Sequence, residues 1–295
     1  MKSGFVSIIG KPNAGKSTLL NAIMGEKIAA VSDKTQTTRN AISGIYTDKN
    51  IQIVFMDTPG IHKPKNKLGE FMAKENAGAM NSFDAAVLVV DCTDRCDAND
   101  EIINNLSFGN MPVFLAINKI DLVEKDELLK IIASYSTKMD FKAFIPISAL
   151  ENDGVNVLMD ELKNVLEDGP MYFPEDMLTD QPEKQIMAEF IREKALWCLD
   201  KEVPHGIAVE IVTFKEGDNG ILNISATIYC EKKSHKGIII GKGGQMLKKI
   251  GQMSRKEAES FFGRKVILEL WVKIKEDWRN SNNLMKELGI IEPEQ

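Results

Sequence analysis

The sequence predicts a two-domain protein in which an α/β domain with a mainly parallel, six-stranded sheet precedes a smaller α+β domain. Short apolar runs alternate with amphipathic stretches over residues 1–168, as a parallel sheet with crossover helices requires. The periodicity fails and prolines cluster over 169–182, which predicts a linker. A different order of helices and strands fills 183–280, and 281–295 is left as a C-terminal helix or tail.

The strands of the first domain are predicted by apolar runs that end at polar turns. The run 41–47 is joined to the run 51–56 by the short polar turn Asp48-Lys49-Asn50. This spacing favours a hairpin, and therefore one antiparallel strand at the edge of the sheet. The other runs, with helical patterns between most of them, are 5–9, 85–90, 113–117 and 143–147.

The second domain is predicted by a long helical pattern, two β runs, two helical segments and a last β run. The sequence therefore indicates the order α-β-β-α-α-β, which differs from the alternation in the first domain. The β runs are 206–214, 220–230 and 266–274, and the two later helical segments fall around 241–262.

Length and composition exclude several classes of protein. With 295 residues, 43% of them hydrophobic, the chain can bury one large core and one smaller core. Its four cysteines form no C-x-x-C pair, and the N-terminus lacks a charged segment followed by a long apolar run. No window approaches the roughly 18 to 20 uninterrupted apolar residues of a membrane span. We therefore expect a reduced, cytoplasmic protein whose membrane contact, if it has any, is peripheral.

A phosphate-binding loop is predicted where the first apolar run ends and a helical pattern begins. The segment has the form G-x-x-x-x-G-K-S, in which consecutive backbone N–H groups and the following helix N-terminus face a polyphosphate. Lys16 is expected to reach the β- and γ-phosphates, and Ser17 to bind Mg²⁺. The nucleotide-binding residues predicted here are Gly10, Lys11, Pro12, Asn13, Ala14, Gly15, Lys16, Ser17 and Thr18.

The tetrapeptide 118–121, Asn-Lys-Ile-Asp, follows the run 113–117 and predicts that the base of the nucleotide is guanine. The Asp121 carboxylate can accept two hydrogen bonds from N1–H and N2–H₂ of guanine, whereas adenine offers neither donor. Lys119 would lay its aliphatic stem on the purine ring, and Asn118 would brace the loop. A weaker signal is Ser148-Ala149-Leu150, where the Ala149 N–H is expected to donate to guanine O6.

A third nucleotide motif, Asp57-Thr58-Pro59-Gly60, follows the run 51–56. Asp57 is expected to hold Mg²⁺ through water, and the Gly60 N–H to sense the γ-phosphate. The polar loop 35–39 precedes this motif, and one of its threonine hydroxyls is suited to complete the Mg²⁺ shell. Thr38 is favoured for this role, and Thr37 is the alternative.

A basic cluster with a glycine-rich turn marks the second domain, although the whole chain carries a net charge of −6. From 232 to 265 there are ten Lys or Arg and two acidic residues. Glycines at 241 and 244 allow two helices to meet tightly, so that backbone N–H groups and Lys242 can clamp a single-stranded phosphate backbone. Trp271 and Trp278 are favoured as packing residues over base-stacking residues. The predicted RNA-binding residues are Ile240, Gly241, Lys242, Gly243, Gly244, Lys248, Lys249 and Arg255.

Together these motifs resemble the translation-factor-related GTPases, and specifically the Era family, over nearly the whole chain. The segments 10–17, 36–39, 57–64 and 118–121 match that family in order and spacing, and 238–245 looks like the G-x-x-G loop of a type II KH domain. The resemblance implies a GTPase that binds the 3′ end of 16S ribosomal RNA and assists assembly of the 30S subunit. It also implies a monomer that visits the inner membrane face, and K⁺ bound near Asn13.

Hydrolysis of GTP is expected to depend on positioning and on cancellation of phosphate charge. Lys16, Asn13, Thr38 and Gly60 are the predicted catalytic residues. Turnover is expected to be slow because Ile61 stands where many small GTPases carry a water-orienting glutamine. His62, the obvious candidate for a general base, is not favoured, because a loop histidine is more often solvated or structural.

The predicted function is a switch in which GTP orders the loop 35–39 and the segment after Gly60, and so repositions the KH domain. Two alternatives stay open. In one, the second domain docks a protein or a membrane; in the other, the chain is an NTPase that binds RNA equally with GDP and GTP.

Overall fold

The computed structural model describes residues 1–32, 34, 42–57, 83–106, 111–200, 203–288 and 290. These residues form two compact units. The first comprises 1–29, 42–57 and the described residues from 83 to 180, and the second comprises the described residues from 30 to 34 together with those from 181 onward.

The first unit is built on a six-stranded sheet. Five strands are parallel, and β2 runs antiparallel to β3 at one edge, so both the predicted sheet and the predicted hairpin are confirmed. The spatial order is β2-β3-β1-β4-β5-β6. The strands are β1 (Lys2–Ile9), β2 (Ile42–Asp48), β3 (Ile51–Asp57), β4 (Ala85–Asp91), β5 (Val113–Asn118) and β6 (Ala143–Pro146).

The helices described in this unit are α1 (Lys16–Met24), α2 (Asp100–Leu106), α3 (Lys125–Ser136) and α4 (Val155–Val165). The central strands are nearly continuous apolar runs because helices cover a parallel sheet on both faces. The carboxyl ends of β1, β3, β4 and β5 meet at one edge of the sheet. Open α/β sheets bind their ligands at this edge.

The second unit has the predicted α-β-β-α-α-β order. Strand β8 pairs antiparallel with β7 and parallel with β9, in the order β7-β8-β9. One position differs from the prediction: the first of the paired helices begins at Lys233 and ends before Gly241, whereas the sequence placed both around 241–262. The elements are α5 (Glu183–Cys198), β7 (Ala208–Glu216), β8 (Leu222–Cys230), α6 (Lys233–Ile240), α7 (Gln245–Phe262), β9 (Val266–Ile274) and α8 (Asn282–Glu287).

The two tryptophans singled out in this unit have different environments. Trp278 is fully buried, and its Nε1–H donates to the Gly206 carbonyl at 3.0 Å, so the predicted packing role is confirmed. Trp271 lies on β9 with 61% of its surface exposed, so the packing role predicted for it is wrong. Residue alternation on a strand places Trp271 and its buried neighbour Val272 on opposite faces of the sheet.

Among the described residues, no helix combines the length and the apolar character that crossing a membrane requires.

Candidate nucleotide and nucleic-acid sites

The predicted phosphate loop lies between β1 and α1, and its backbone requires glycine at two positions. A Cβ at Gly10 would lie 2.3 Å from the Val89 carbonyl oxygen, and one at Gly15 would lie 2.1 Å from Asn118 Nδ2. Gly15 also has a φ of 98°, and Asn13 adopts the left-handed region with a φ of 65°. Both glycines therefore allow the neighbouring strands to approach a tightly turned loop.

Lys16 lies inside this loop and is almost fully buried. Its Nζ donates to the carbonyl oxygens of Gly10 at 3.1 Å and Lys11 at 3.0 Å. Burial lowers the pKa of Lys16, and the nearby Asp57 carboxylate opposes that shift only in part. The loop thus holds a poorly solvated cation whose charge an anionic ligand would stabilise.

Ser17 and Asp57 meet although they are forty positions apart in the chain. The Ser17 hydroxyl, in the first turn of α1, donates to Asp57 Oδ2 at 2.5 Å, at the carboxyl end of β3. Asp57 is fully buried. A hydroxyl and a carboxylate beside a phosphate loop are the hard oxygen ligands that Mg²⁺ prefers, so these residues fit the predicted metal.

The predicted guanine-binding residues lie at the carboxyl end of β5, and Asn118 joins three loops. Its Nδ2 donates to the Ala14 carbonyl at 2.8 Å, and its Oδ1 accepts from the Ala149 N–H at 2.9 Å. Only 3% of Asn118 is exposed, so both hydrogen bonds are shielded from water. The bracing role predicted for Asn118 is thereby explained, whereas Asp121 is exposed at the surface of the same loop.

The third segment, Ser148-Ala149-Leu150, follows β6 and differs in part from what the sequence predicts. The Ala149 N–H, expected to donate to guanine O6, donates to Asn118 Oδ1 instead, so in this structure it is engaged within the protein. Ser148 is buried and exchanges backbone hydrogen bonds with Asp153, while Leu150 is 75% exposed. The sequence could not show that Asn118 competes for this N–H, because the two residues meet only in the folded chain.

Several predicted residues lie outside the described residues. They are Thr37 and Thr38 of the loop 35–39, and Thr58, Pro59, Gly60, Ile61 and His62 of the segment after β3.

The second unit carries a groove of about 530 Å³ between α7 and β9. Gly244, Lys248 and Arg255 line it, as do residues that the sequence analysis did not single out. The lining residues on α7 recur at helical spacing, so the 3.6-residue period could have identified those that lie on this helix. These additional residues are Leu247, Gly251, Gln252, Val266, Ile267, Leu268 and Leu270.

The turn between α6 and α7 supports the groove at one end. Gly241, Gly243 and Gly244 all have positive φ, at 73°, 59° and 81°. Gly241 packs closely against the next helix, since a Cβ there would lie 2.7 Å from the Met246 Cβ. Lys242 is exposed in this turn. Three of the four residues that turn the chain between the two helices are therefore glycines, which adopt positive φ without the strain that a side chain adds.

Lys249 does not line the groove with Lys248. It lies close enough to Cys198 to influence that thiol, whose pKa is raised by burial and lowered in part by Lys249. The structure therefore brings Lys248 and Arg255 together along one side of α7 and places Lys249 on another side.

Comparison with known proteins agrees with this geometry. The family described as "50S ribosome-binding GTPase" matches residues 5–119, and the family described as "KH domain" matches residues 202–279. GTPase Era of Ruminiclostridium cellulolyticum is 57% identical over 98% of this chain and 97% of its own length. The chain belongs to the GTPase Era family. It is a GTPase with a C-terminal KH domain, as the motifs predict.

Two solved structures of Era resemble this chain over nearly its whole length. One is Era in complex with MgGDPNP and nucleotides 1506–1542 of 16S ribosomal RNA, and the other is a variant of Aquifex aeolicus Era bound to GDP·AlF₄⁻. Each is 39% identical, has a TM-score of 0.93, and covers 98% of this chain and 99% of its own. The Era fold is therefore present in both units of this chain.

Proposed function

We propose that this member of the Era family is a GTP-controlled RNA-binding protein that acts on the small ribosomal subunit. Its first domain hydrolyses GTP, and its KH domain binds the single-stranded 3′ end of 16S ribosomal RNA during 30S assembly. The observation that supports this most strongly is that one chain carries two features. Lys16 is buried in a phosphate loop, and a groove lined by Lys248 and Arg255 follows the G-x-G-G turn at 241–244. The solved relative that holds both MgGDPNP and a 16S segment supports the same pairing.

The domain limits belong to this proposal. We assign 1–168 to the GTPase domain, 169–182 to a linker, 183–280 to the KH domain and 281–295 to a C-terminal helix or tail. We further propose a monomeric, cytoplasmic protein that associates peripherally with the inner membrane face.

The phosphate loop would hold the triphosphate. Its backbone N–H groups and the N-terminus of α1 present positive charge, and Lys16 would exchange its hydrogen bonds to Gly10 and Lys11 for phosphate oxygens. Ser17, Asp57 and Thr38 would hold Mg²⁺, which neutralises charge on the β- and γ-phosphates when bound. Asn13 would coordinate K⁺, which would add positive charge near the β- and γ-phosphates.

The loop 118–121, which we call the base loop, would select guanine. Asp121 would accept hydrogen bonds from N1–H and N2–H₂, and Lys119 would pack its stem on the purine plane. Asn118 would keep these residues beside the phosphate loop, because its amide already connects Ala14 to Ala149. Asp121 is exposed at the protein surface, so the base can reach it without displacing a core residue.

Hydrolysis would proceed slowly without an activator. Lys16 and the amides of the phosphate loop stabilise negative charge that shifts toward the leaving GDP. Ile61 has no hydrogen-bonding side-chain group with which to orient the attacking water, so the intrinsic rate would be limited at that step.

The pH dependence of Lys16 is testable. Burial lowers the pKa of Lys16 in the folded protein. Between that lowered pKa and the ordinary lysine value, the unfolded chain therefore binds more protons than the folded chain. The lysine's contribution to stability therefore rises with pH across this window, while affinity for GDP falls as the ammonium loses its proton. Unfolding midpoints measured from pH 7 upward should show this slope in the wild type and lose it in Lys16→Met. A difference between the two proteins that does not change with pH would contradict the assignment.

The KH groove would bind single-stranded RNA through two kinds of contact. Lys242, Lys248 and Arg255 would contact phosphates, and the apolar floor beside them would take unstacked bases. Gly241 and Gly244 would let the phosphate backbone approach the turn closely.

The test of the proposed function is the affinity of the full chain for a single-stranded RNA that matches the 3′ end of 16S ribosomal RNA. It should be measured with GDP and with a non-hydrolysable GTP analogue, at two salt concentrations. We expect tighter binding with the analogue and a loss of affinity at the higher salt, because phosphate contacts release counterions. Lys248→Glu should weaken binding at least tenfold, whereas Lys215→Glu, an exposed lysine on β7 away from the groove, should not.

The other outcomes separate the alternatives. Equal RNA binding in both nucleotide states would remove the switch and leave a GTPase and an RNA-binding module in one chain. No RNA binding, or equal binding to anionic lipid vesicles, would favour a second domain that docks a protein or a membrane.

A further inference from the structure

The turn that follows β4, residues 91–94, contacts both nucleotide loops, although no motif identifies it. Strand β4 ends at Asp91, which stands directly beside Asn118 in the parallel register of β4 and β5. The turn therefore begins next to the base loop. We refer to residues 91–94 as the β4 turn.

Asp91 holds the side chain of Lys119. Its Oδ2 accepts from Lys119 Nζ at 2.5 Å, and its Oδ1 accepts from the N–H and the hydroxyl of Thr93 at 2.9 Å and 2.7 Å. Only 13% of the Asp91 side chain and 33% of the Lys119 side chain are exposed. Burial would raise the pKa of Asp91, but the hydrogen bonds from Lys119 and Thr93 outweigh it and lower that pKa, so the carboxylate stays ionised.

The same turn holds the backbone of Lys119. Lys119 has a φ of 67° and a ψ of 34°, a left-handed conformation that is unfavourable for a residue with a side chain. Cys92 donates hydrogen bonds to the two carbonyl groups that flank the Lys119 Cα. The Cys92 N–H donates to the Asn118 carbonyl, and the Cys92 thiol donates to the Lys119 carbonyl, each at 3.0 Å. Burial and nearby carboxylates raise the pKa of Cys92 to about 11, which keeps the thiol protonated as a donor.

The other end of the β4 turn contacts the phosphate loop. Asp94 Oδ2 accepts from Lys11 Nζ at 2.8 Å. Both side chains are about one-third exposed, so this contact is weaker than the one between Asp91 and Lys119. Four consecutive residues thus connect the loop that would carry the phosphates to the loop that would carry the base.

We propose that Asp91 is a positioning residue for guanine-nucleotide binding, acting through Lys119. The carboxylate fixes the direction of the lysine stem, and the Cys92 contacts fix the backbone that bears it, so that the stem is in place before the purine arrives. Preorganisation of this kind lowers the entropic cost of binding. The proposal rests on the proposed nucleotide site and specifies which residue outside its motifs supports it.

The test is the substitution Asp91→Asn in the full chain. Asparagine has nearly the same shape, but one of its two terminal atoms is an NH₂ group and cannot accept from Lys119 or Thr93. We expect GDP affinity to fall about tenfold, which corresponds to a coupling energy of about 1.4 kcal/mol. Asp97→Asn is the matched control, because Asp97 pairs with Arg95 at the exposed surface and is expected to leave GDP affinity unchanged.

Two readouts separate positioning from general damage. If Asp91 acts through Lys119, Asp91→Asn will have little further effect in a Lys119→Ala background. The ratio of GDP to inosine diphosphate affinity should also stay constant, because inosine lacks only the 2-amino group that Asp121 would bind. Equal losses with and without Lys119, a changed ratio, or unchanged GDP affinity would each overturn the proposal. A wild-type protein that fails to bind GDP would instead refute the nucleotide site itself.

Discussion

Replacement of Asp121 by asparagine is expected to lower the affinity for GDP about 100-fold or more and to raise the affinity for xanthosine diphosphate. The carboxylate would accept from both N1–H and N2–H₂ of guanine, and each hydrogen bond to a charged group contributes about 1.5–3 kcal/mol. Asparagine keeps the shape but places an NH₂ group opposite one of those donors. Xanthine carries a carbonyl oxygen in place of the 2-amino group and can accept from that NH₂.

The measurement is the equilibrium affinity of wild type and variant for GDP and for xanthosine diphosphate. Asp126→Asn is the matched control, since Asp126 is exposed at the start of α3 and lies outside the base loop. The control should retain the GDP affinity of the wild type. An Asp121→Asn protein that still prefers GDP would show that another group selects the base, and the assignment of the loop would fail.

The second large effect is expected at the turn between α6 and α7. Gly241→Ala should reduce affinity for single-stranded RNA more than tenfold while GDP binding in the first domain stays unchanged. Gly241 has a φ of 73° and a ψ of 176°, a combination that residues with a side chain scarcely adopt and that costs about 1–3 kcal/mol. The added Cβ would also meet Met246 at 2.7 Å, so the start of α7 must move.

Gly237→Ala provides a control within the same helix. Gly237 lies inside α6, and a Cβ there would meet nothing within 4 Å. Alanine also favours the helix over glycine by about 0.8–1 kcal/mol, so this variant should be as stable as the wild type or more so, with unchanged RNA affinity. The two proteins should be compared by RNA titration and by circular dichroism. If Gly241→Ala binds RNA as the wild type does, the turn is only a connection between helices.

Local patterns in the sequence predicted the order of the elements and the motifs of the candidate site. The phosphate loop needs glycine where the backbone turns, lysine where the anion lies and apolar residues on both sides, and all of these are within fifteen consecutive positions. Alternation of β runs and helical patterns likewise predicted the six-stranded sheet, including its antiparallel edge strand. Such signals are short in range, because each depends on neighbours along the chain.

The side of a strand or helix on which a residue lies was harder to predict from the sequence. Trp271 was expected to pack and is 61% exposed, and Lys249 was grouped with Lys248 but lies away from the groove. Both differences concern which side of a strand or helix the residue occupies. That choice depends on what packs against the strand or helix, and composition alone does not contain it.

By itself, then, the sequence determined the two domains, the phosphate and guanine motifs and the glycine-rich turn of the KH domain. Only the tertiary structure brought Ser17 to Asp57, engaged the Ala149 N–H with Asn118 and set Asp91 against Lys119. These residues lie between 28 and 40 positions apart in the chain. They meet because parallel strands deliver their carboxyl ends to one edge of the sheet, and that edge exists only after the strands have assembled.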